Sequence, residues 1–567
     1  MMEIWWKYVI AFVGVSMSIV VGMKVLNLVW WKPKRLEEHF ARQGIRGPPY
    51  KFFLGNVKEM VGYMLEASSK PMDPHNSHNI LPRVLSFYHH WKKIYGIFIN
   101  KFFIFLKRIF VDDDDNEEDN DDVNDNKNND LPGSTFLLWF GPTARLTVAD
   151  PDLIREIFVS RADCFDRYES HPLVRQLEGD GLVSLRGAKW AHHRKVLTPT
   201  FHMENLKLLI PYIGKTVVGM VDKWLAIPST SGEVEIDVSE WFQTVTEDAI
   251  TRTAFGRSYD DGKAVFQLQS RQMVFAAEAF RKVFIPGYRF LPTKRNTRSW
   301  RLDKEIKKDL GGLIEKRKAK RRCENGGGGD VDDDEVCPKD LLGQMINARD
   351  GITDHDIVEE CKTFFFAGKQ TTSNLLTWTT VLLAMHPDWQ DLARQEVLRV
   401  CGSRDIPTRD HLSKLKTLGL ILNETLRLYP PAVATIRRAK ADVELGGCKI
   451  PRGTELLIPI IAVHHDTKLW GPDAARFNPG RFSEGARAAQ HPTAFIPFGL
   501  GARMCIGKNL ALLEAKLTVA IILQRFSFRL APTYVHAPTV LMLLYPQYGA
   551  PVIFRPLSSS SSPPSIL

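Results

Sequence analysis

Cysteine pairs are missing from this chain. Its seven cysteines, at positions 164, 323, 337, 361, 401, 448 and 505, are odd in number and include no C-x-x-C. Neither a disulfide framework nor a zinc cluster is indicated, and a reduced cytosolic setting fits. No unit of roughly 20–50 residues repeats, which excludes a solenoid. A compact basic arm and a zinc knuckle are also lacking, so the formal charge of +10 is no sign of nucleic acid. The tract 112–130 holds eleven acids and one lysine, a balance of −10, which leaves +20 on the rest of the chain. That distribution suits an anionic membrane surface or an acidic protein partner.

Uncharged apolar runs are scarce, with one exception. From Tyr8 to Trp31 the chain reads YVIAFVGVSMSIVVGMKVLNLVWW, 24 residues with Lys24 as the only charge, more than the ~20 that cross a bilayer. Trp5, Trp6, Trp30 and Trp31 bracket it as interfacial belts do. No A-x-A-like cleavage site follows, so the run reads as an uncleaved anchor and not as a signal peptide. Lys32, Lys34 and Arg35 come next, which leaves the body of the chain in the cytosol. The expected organisation is an anchor at 1–33, a basic and proline-rich hinge at 34–50, a body at 51–555 and a flexible tail at 556–567. Two low-complexity stretches, 97–133 and 323–337, suit surface loops or disorder.

With 44% apolar residues in 567 the chain can bury a large core, and length alone suggests two or three domains. STFLLWFGPTARLTVADPDLIREIF (134–158) predicts two short strands joined at Gly-Pro, then a helix capped near Asp150. Helical periodicity dominates to about residue 430, and 446–463 returns to strand-like alternation. The longest predicted helix starts at Thr353, whose spacing to Asp356 forms a capping box, and runs to His386 ahead of Pro387. Val358, Cys361, Phe365, Gly368, Thr372, Leu375 and Leu376 recur at helical spacing and predict one buried stripe.

The chemistry concentrates in FIPFGLGARMCIGKNLALLEAK (495–516). A thiolate is a soft metal ligand, stabilised by positive potential and by the N–H groups of a helix N-terminus. Cys505 stands just before a predicted helix, and Gly499, Gly501 and Gly507 let the backbone approach a flat partner. Arg503 offers a forked donor for a carboxylate. Sulfur on iron and arginine on a carboxylate together describe a haem held through a thiolate.

Phe498, Gly501, Arg503, Cys505 and Gly507 spell F-x-x-G-x-R-x-C-x-G, which resembles the haem-binding signature of the cytochrome P-450 superfamily. The resemblance implies one mainly α fold with a smaller β region behind an N-terminal transmembrane helix. It also implies haem b with Cys505 as the axial ligand of its iron, dioxygen as co-substrate, and NADPH electrons from a separate NADPH-cytochrome P-450 reductase. Glu424 and Arg427 in LNETLRLYPP resemble the family's E-x-x-R, and Arg481 in FNPGRF its P-x-R-F. This trio is expected to lock distant segments without taking part in the reaction. Trp190 and Arg194 match a W-x-x-x-R helix that holds a haem propionate. Arg438 resembles a further propionate contact, with Arg437 as its rival. FFFAGKQTTSN resembles the oxygen-binding A-G-x-D/E-T-T, with Ala367, Gly368 and Thr371 in role. Thr371 is expected to bond back to the Ala367 carbonyl, open the helix locally and relay protons. Gln370 stands where the family carries an acid, and an amide cannot shuttle a proton as a carboxylate does. His192 and His193 read as surface or supporting groups.

The pocket is expected among Phe365, Phe366, Ala432 and Val433, and 283–293 is expected to dip into the membrane. FFFAGKQTTSNLLTWTT, DPDLIREIF and IPGYRFLPTKRN are similar to the plant subfamily that inactivates brassinosteroids by hydroxylating carbon 26. The expected partners are that reductase, the endoplasmic reticulum bilayer and a small lipophilic substrate, with no nucleic acid. A gibberellin or another terpenoid, a non-redox haem-thiolate isomerase or dehydratase, and a non-catalytic haem sensor are the competing readings. In relatives KIYG leads almost directly into STFLLWFGPT, so the 37 residues of 97–133 read as a retained intron or as a surface insertion.

Overall fold

The computed structural model describes residues 2–73, 77–96, 135–229, 232–256, 259–279, 290–324, 340–348, 352–403 and 405–557. The 97–133 tract, most of 323–337, most of 283–293 and nearly all of the tail lie outside them.

Helix α1 (Met2–Leu26) continues through a π turn at Asn27–Trp31 into α2 (Lys32–Arg42). It is the one described helix long and apolar enough to cross a membrane, with mean hydropathy 2.2 and none of its apolar window packed against the rest. Pro33 does not end it: it falls directly after the π turn, where the ordinary hydrogen-bond ladder is already interrupted. The expected hinge is therefore helical as far as Arg42, and it is fastened. Phe40, Ile45 and Tyr50 are buried against Leu137, Trp139 and Leu146, and the Tyr50 hydroxyl donates to the Val29 carbonyl.

Strands β1 (Leu137–Phe140) and β2 (Thr143–Thr147) pair antiparallel, with Leu137 opposite Leu146. Helix α3 (Pro151–Arg155) follows, and the Asp150 carboxylate accepts from the Leu153 N–H at 3.0 Å. Together with β3 (Phe165–Arg167), β5 (Thr435–Ala439) and β6 (Glu455–Ile458), these strands make a five-stranded sheet ordered β1-β2-β6-β5-β3. A three-stranded sheet lies apart, with β8 (Pro551–Pro556) between β4 (Val234–Asp237) and β7 (Phe526–Leu530). The fold is mainly helical with this smaller sheet region, as expected.

Four helices build the site: α4 (Gly187–Leu197), α5 (Val238–Phe255), α7 (Asp354–Met385) and α9 (Lys508–Arg525). Two others, α6 (Tyr259–Ala279) and α8 (Lys416–Leu428), back them. The capping box of α7 is present: Asp356 N–H donates to the Thr353 hydroxyl at 3.2 Å, and Thr353 N–H to the Asp356 carboxylate at 3.1 Å. Its 32 residues span about 48 Å at 1.5 Å each. The expected single buried stripe is too narrow, since every residue from Thr372 to Leu383 is buried. A helix enclosed by other helices on all sides has no face left for water.

Candidate active site

The inner turns of α7 wall a cavity of about 380 Å³. Phe364, Ala367, Gly368, Thr371, Thr372 and Leu375 line it, at the i, i+3, i+4, i+7, i+8, i+11 spacing of one helical face. The phase differs from the expected one. Phe365 faces away and packs on Phe255 and Phe266, with ring centroids 5.4 and 4.6 Å apart. Phe366 joins a small cluster with Val174, Leu177 and Ala276. Each residue turns the helix by about 100°, so Phe364 is the phenylalanine of the cavity wall. Likewise Ala432 lines the cavity, whereas Val433 is buried outside it and its carbonyl accepts from the Ile461 N–H.

The Thr371 hydroxyl donates to the Ala367 carbonyl at 2.7 Å. Helix α7 stays continuous through this point, so the bond adds to the helix without opening it. Gly368 serves a close approach: a Cβ there would stand 2.6 Å from Ile250 of α5. The two residues that replace the family's acid region point away from the cavity. Lys369 forms an ion pair with Glu247 and donates to the Ser270 hydroxyl at 3.2 Å. Gln370 donates to the Asn374 side chain at 3.3 Å.

Cys505 faces α7 from the opposite wall. Its accessible surface opens into the cavity that it lines. The loop is closed by the Cys505 N–H donating to the Phe498 carbonyl at 2.9 Å, and Phe498, Arg503 and Gly507 share the lining. Gly501 does not line it. Its φ of +68° and its approach to Phe158, whose carbonyl oxygen would lie 2.1 Å from a Cβ, make it the contact that seats the loop. Burial pushes the Cys505 thiol up, while the N–H groups of Gly507 and Lys508 and the charge of Arg194 pull it down. A bound metal cation supplies the further pull that deprotonates such a thiol.

Three arginines in the wall form no ion pair with a carboxylate among the described residues. Arg194 donates to the Met504 carbonyl at 3.0 Å, Arg503 to the Leu185 carbonyl at 2.9 Å, and Arg437 to the Ile436 carbonyl at 3.0 Å. Arg503 also lies 4.4 Å over the Trp190 ring, and Trp190 shares the cavity lining with Arg194. Burial, helped by the charges of Arg167 and Arg503, lowers Arg437 to about 9. Burial likewise lowers Arg194 and Arg503. Excess positive charge in a desolvated cavity calls for an anion. Between β5's two candidates the strand alternation decides: Arg437 lines the cavity, whereas Arg438 lies on the other face beside Gly453. A sulfur on one wall, unpaired guanidinium groups at the edge and apolar surfaces between them fit a flat iron-bearing group with two carboxylates.

The trio of Glu424, Arg427 and Arg481 assembles below this wall. Both Glu424 oxygens accept from Arg427 at 2.8 Å, and Oε1 also accepts from Arg481 at 3.1 Å and from the Asn478 N–H at 2.9 Å. Arg427 donates further to the carbonyls of His464 and Ala474, at 2.9 and 2.7 Å. His464 extends the network in a way the sequence does not announce. Its Nδ1 meets the Arg427 carbonyl at 3.2 Å, and its Nε2 accepts from the Ile496 N–H at 3.1 Å, which ties the trio to the loop that carries Cys505. Of the two readings left open for His193, surface or supporting group, the second fits: it is buried and meets Glu360 of α7 at 2.6 Å.

The sequence profile of the family described as cytochrome P450 matches residues 109–551. The chain belongs to the cytochrome P450 family. It is a monooxygenase of the haem-thiolate kind. Among similar P450s, cytochrome P450 734A6 of Oryza sativa subsp. japonica is 65% identical over 558 residues, covering 95% of each chain. Cytochrome P450 734A1 of Arabidopsis thaliana is 63% identical over 98% of this chain and 97% of its own. Cytochrome P450 CYP72A219 of Panax ginseng is 39% identical over 98% of this chain and 100% of its own.

Proposed function

We propose that this P450 hydroxylates a brassinosteroid at carbon 26, drawing electrons from NADPH through a membrane-bound reductase. The overall change is RH + O2 + NADPH + H⁺ → ROH + H2O + NADP⁺. The observation that carries the reading is the AGKQTT segment of α7, whose Ala367, Gly368, Thr371 and Thr372 line the cavity, within a chain 65% identical to cytochrome P450 734A6. The apolar wall of Phe364, Leu375, Ala432 and Ile460 suits a steroid-like body and excludes water from it.

Haem b, when bound, supplies the dioxygen activation. Cys505 would give the iron its sulfur ligand, and Arg194, Arg503 and, in place of the expected Arg438, Arg437 would hold the two propionates. The Thr371 proton is committed to the Ala367 carbonyl, so the hydroxyl oxygen is free to accept from a water beside Gly368 and hold that water in place. Glu424, Arg427, Arg481 and His464 keep the Cys505 loop in register. Helix α1 anchors the protein in the endoplasmic reticulum, and Lys32, Lys34 and Arg35 hold the catalytic body on the cytosolic side. Basic residues near the Cys505 face receive the acidic surface of the reductase.

The test is incubation of the full-length enzyme and a reductase with castasterone, brassinolide and a gibberellin, with products identified by mass. A brassinosteroid carrying one added oxygen at carbon 26, formed only with NADPH, is expected. Oxidation of the gibberellin alone, or product without NADPH, overturns the assignment. Cys505→Ala removes both product and the thiolate band of the ferrous carbon monoxide spectrum.

A further inference from the structure

Three phenylalanines in a row leave the rotation of α7 undetermined by their own chemistry. Phe364 lines the cavity, Phe365 packs on Phe255 and Phe266, and Phe366 joins the cluster with Val174, Leu177 and Ala276. Turning the helix by one residue, about 100°, would exchange one ring for an identical one with little change in buried apolar area. It would also carry Ala367, Gly368 and Thr371 off the cavity face. A contact on the far side of α7 must therefore accept one rotation only.

Lys369 is the sole charged residue between Phe364 and Thr372. It is 8% exposed, and Glu247 of α5, its ion-pair partner, is 5% exposed. The same ammonium donates to the Ser270 hydroxyl at 3.2 Å and lies 5.7 Å over the Phe266 ring, both on α6. One side chain thus joins three helices. Glu247 stands about one turn before Ile250 on α5, and Ile250 would lie 2.6 Å from a Cβ at Gly368, so the pair spans a close approach of α5 and α7. Apolar contacts tolerate sliding, whereas a buried ammonium turned from its carboxylate leaves two uncompensated charges. Such a pair rejects the wrong packing even where it adds no stability to the right one.

We propose that the Lys369–Glu247 pair is the pin that fixes the rotation of α7 at the cavity. Neither residue lines the cavity, so both are positioning residues that act through Ala367, Gly368 and Thr371. The inference rests on the oxygen-binding role read for that turn and deepens it.

The experiment uses the full-length, haem-loaded protein and two double variants: an apolar pair, Lys369→Met with Glu247→Leu, and a swapped pair, Lys369→Glu with Glu247→Lys. The infrared stretch of carbon monoxide on the ferrous haem responds to the groups that face it and needs no substrate. Wild type shows one narrow band. The apolar pair keeps or exceeds the urea midpoint of wild type, yet its band splits and product formed per NADPH falls by about tenfold. The swapped pair regains a single band and most of the coupling. Several bands in wild type, or an apolar pair with the wild-type band and coupling, overturns the proposal. An apolar pair that fails to fold where the swapped pair folds makes the charges a source of stability and overturns it as well. If neither pair folds, Glu247→Gln decides: a split band is expected, and an unchanged one overturns the pin. A wild type that forms no hydroxylated product fails the substrate assignment, while the carbon monoxide band and the urea midpoints still report on Lys369 and Glu247.

Discussion

Replacing Glu424 by alanine removes the one carboxylate that two buried guanidinium groups share. Glu424 and Arg427 are fully buried and Arg481 is 7% exposed, so water cannot take over the lost role. Glu424 accepts from Arg427 at two nitrogens, from Arg481 and from the Asn478 N–H, and Asp473 holds Arg481 at 2.8 Å as the only other acid in the group. Arg427 is then left with carbonyl partners alone. Breaking a buried ion pair from one side costs about 3–5 kcal/mol, a large share of the 5–15 kcal/mol that typically holds a domain together. Urea unfolding of the detergent-solubilised chain reads the loss. Because His464 links Arg427 to Ile496, the thiolate band should fade at lower urea than helical signal does. A loss below about 1 kcal/mol refutes the reasoning, since that is the scale of a solvent-exposed pair.

Arg437→Ala should speed haem loss by about tenfold, the equivalent of one charge-assisted hydrogen bond, while Arg438→Ala leaves it near wild type; apomyoglobin-transfer kinetics measure both. Gly501→Ala meets the Phe158 carbonyl and a φ of +68°, so a loss of at least about 2 kcal/mol and poor haem occupancy are expected. Gly485→Ala, with φ +62° and open space around it, is the control that shows the conformational cost alone. Acid should destabilise the protein early: burial lowers His78 and His464 to about 3 and His536 to about 4. These imidazoles stay neutral when folded but protonate in the unfolded chain below about 6.5. Their stabilisation is present above that pH and lost as pH falls toward 3–4, by about 2 kcal/mol each at pH 5. Urea midpoints that stay level from pH 7 to pH 5 contradict this.

Local chemistry made much of the molecule legible in sequence. The capping box at Thr353, the strand pair on either side of Gly141, the back-bond from Thr371 and the trio at 424, 427 and 481 depend on near neighbours or on residue types with few alternatives. The thiol at 505 was legible because sulfur, arginine and glycine at that spacing serve so few purposes. Phase was harder to read. Phe364, Phe365 and Phe366 are identical as side chains, and only the helices packed on each side of α7 determine which one meets the cavity.

By itself the sequence determined the apolar N-terminal helix, the elements, the cysteine loop and the family, because each rests on hydrophobic length, periodicity or a dense motif. Tertiary structure alone decided that Arg437 and not Arg438 enters the cavity, that His464 joins the trio to the Cys505 loop, and that Lys369 meets Glu247 behind the wall. Those facts belong to surfaces brought together from distant segments, and no spacing along the chain encodes which side of a residue its neighbours will cover.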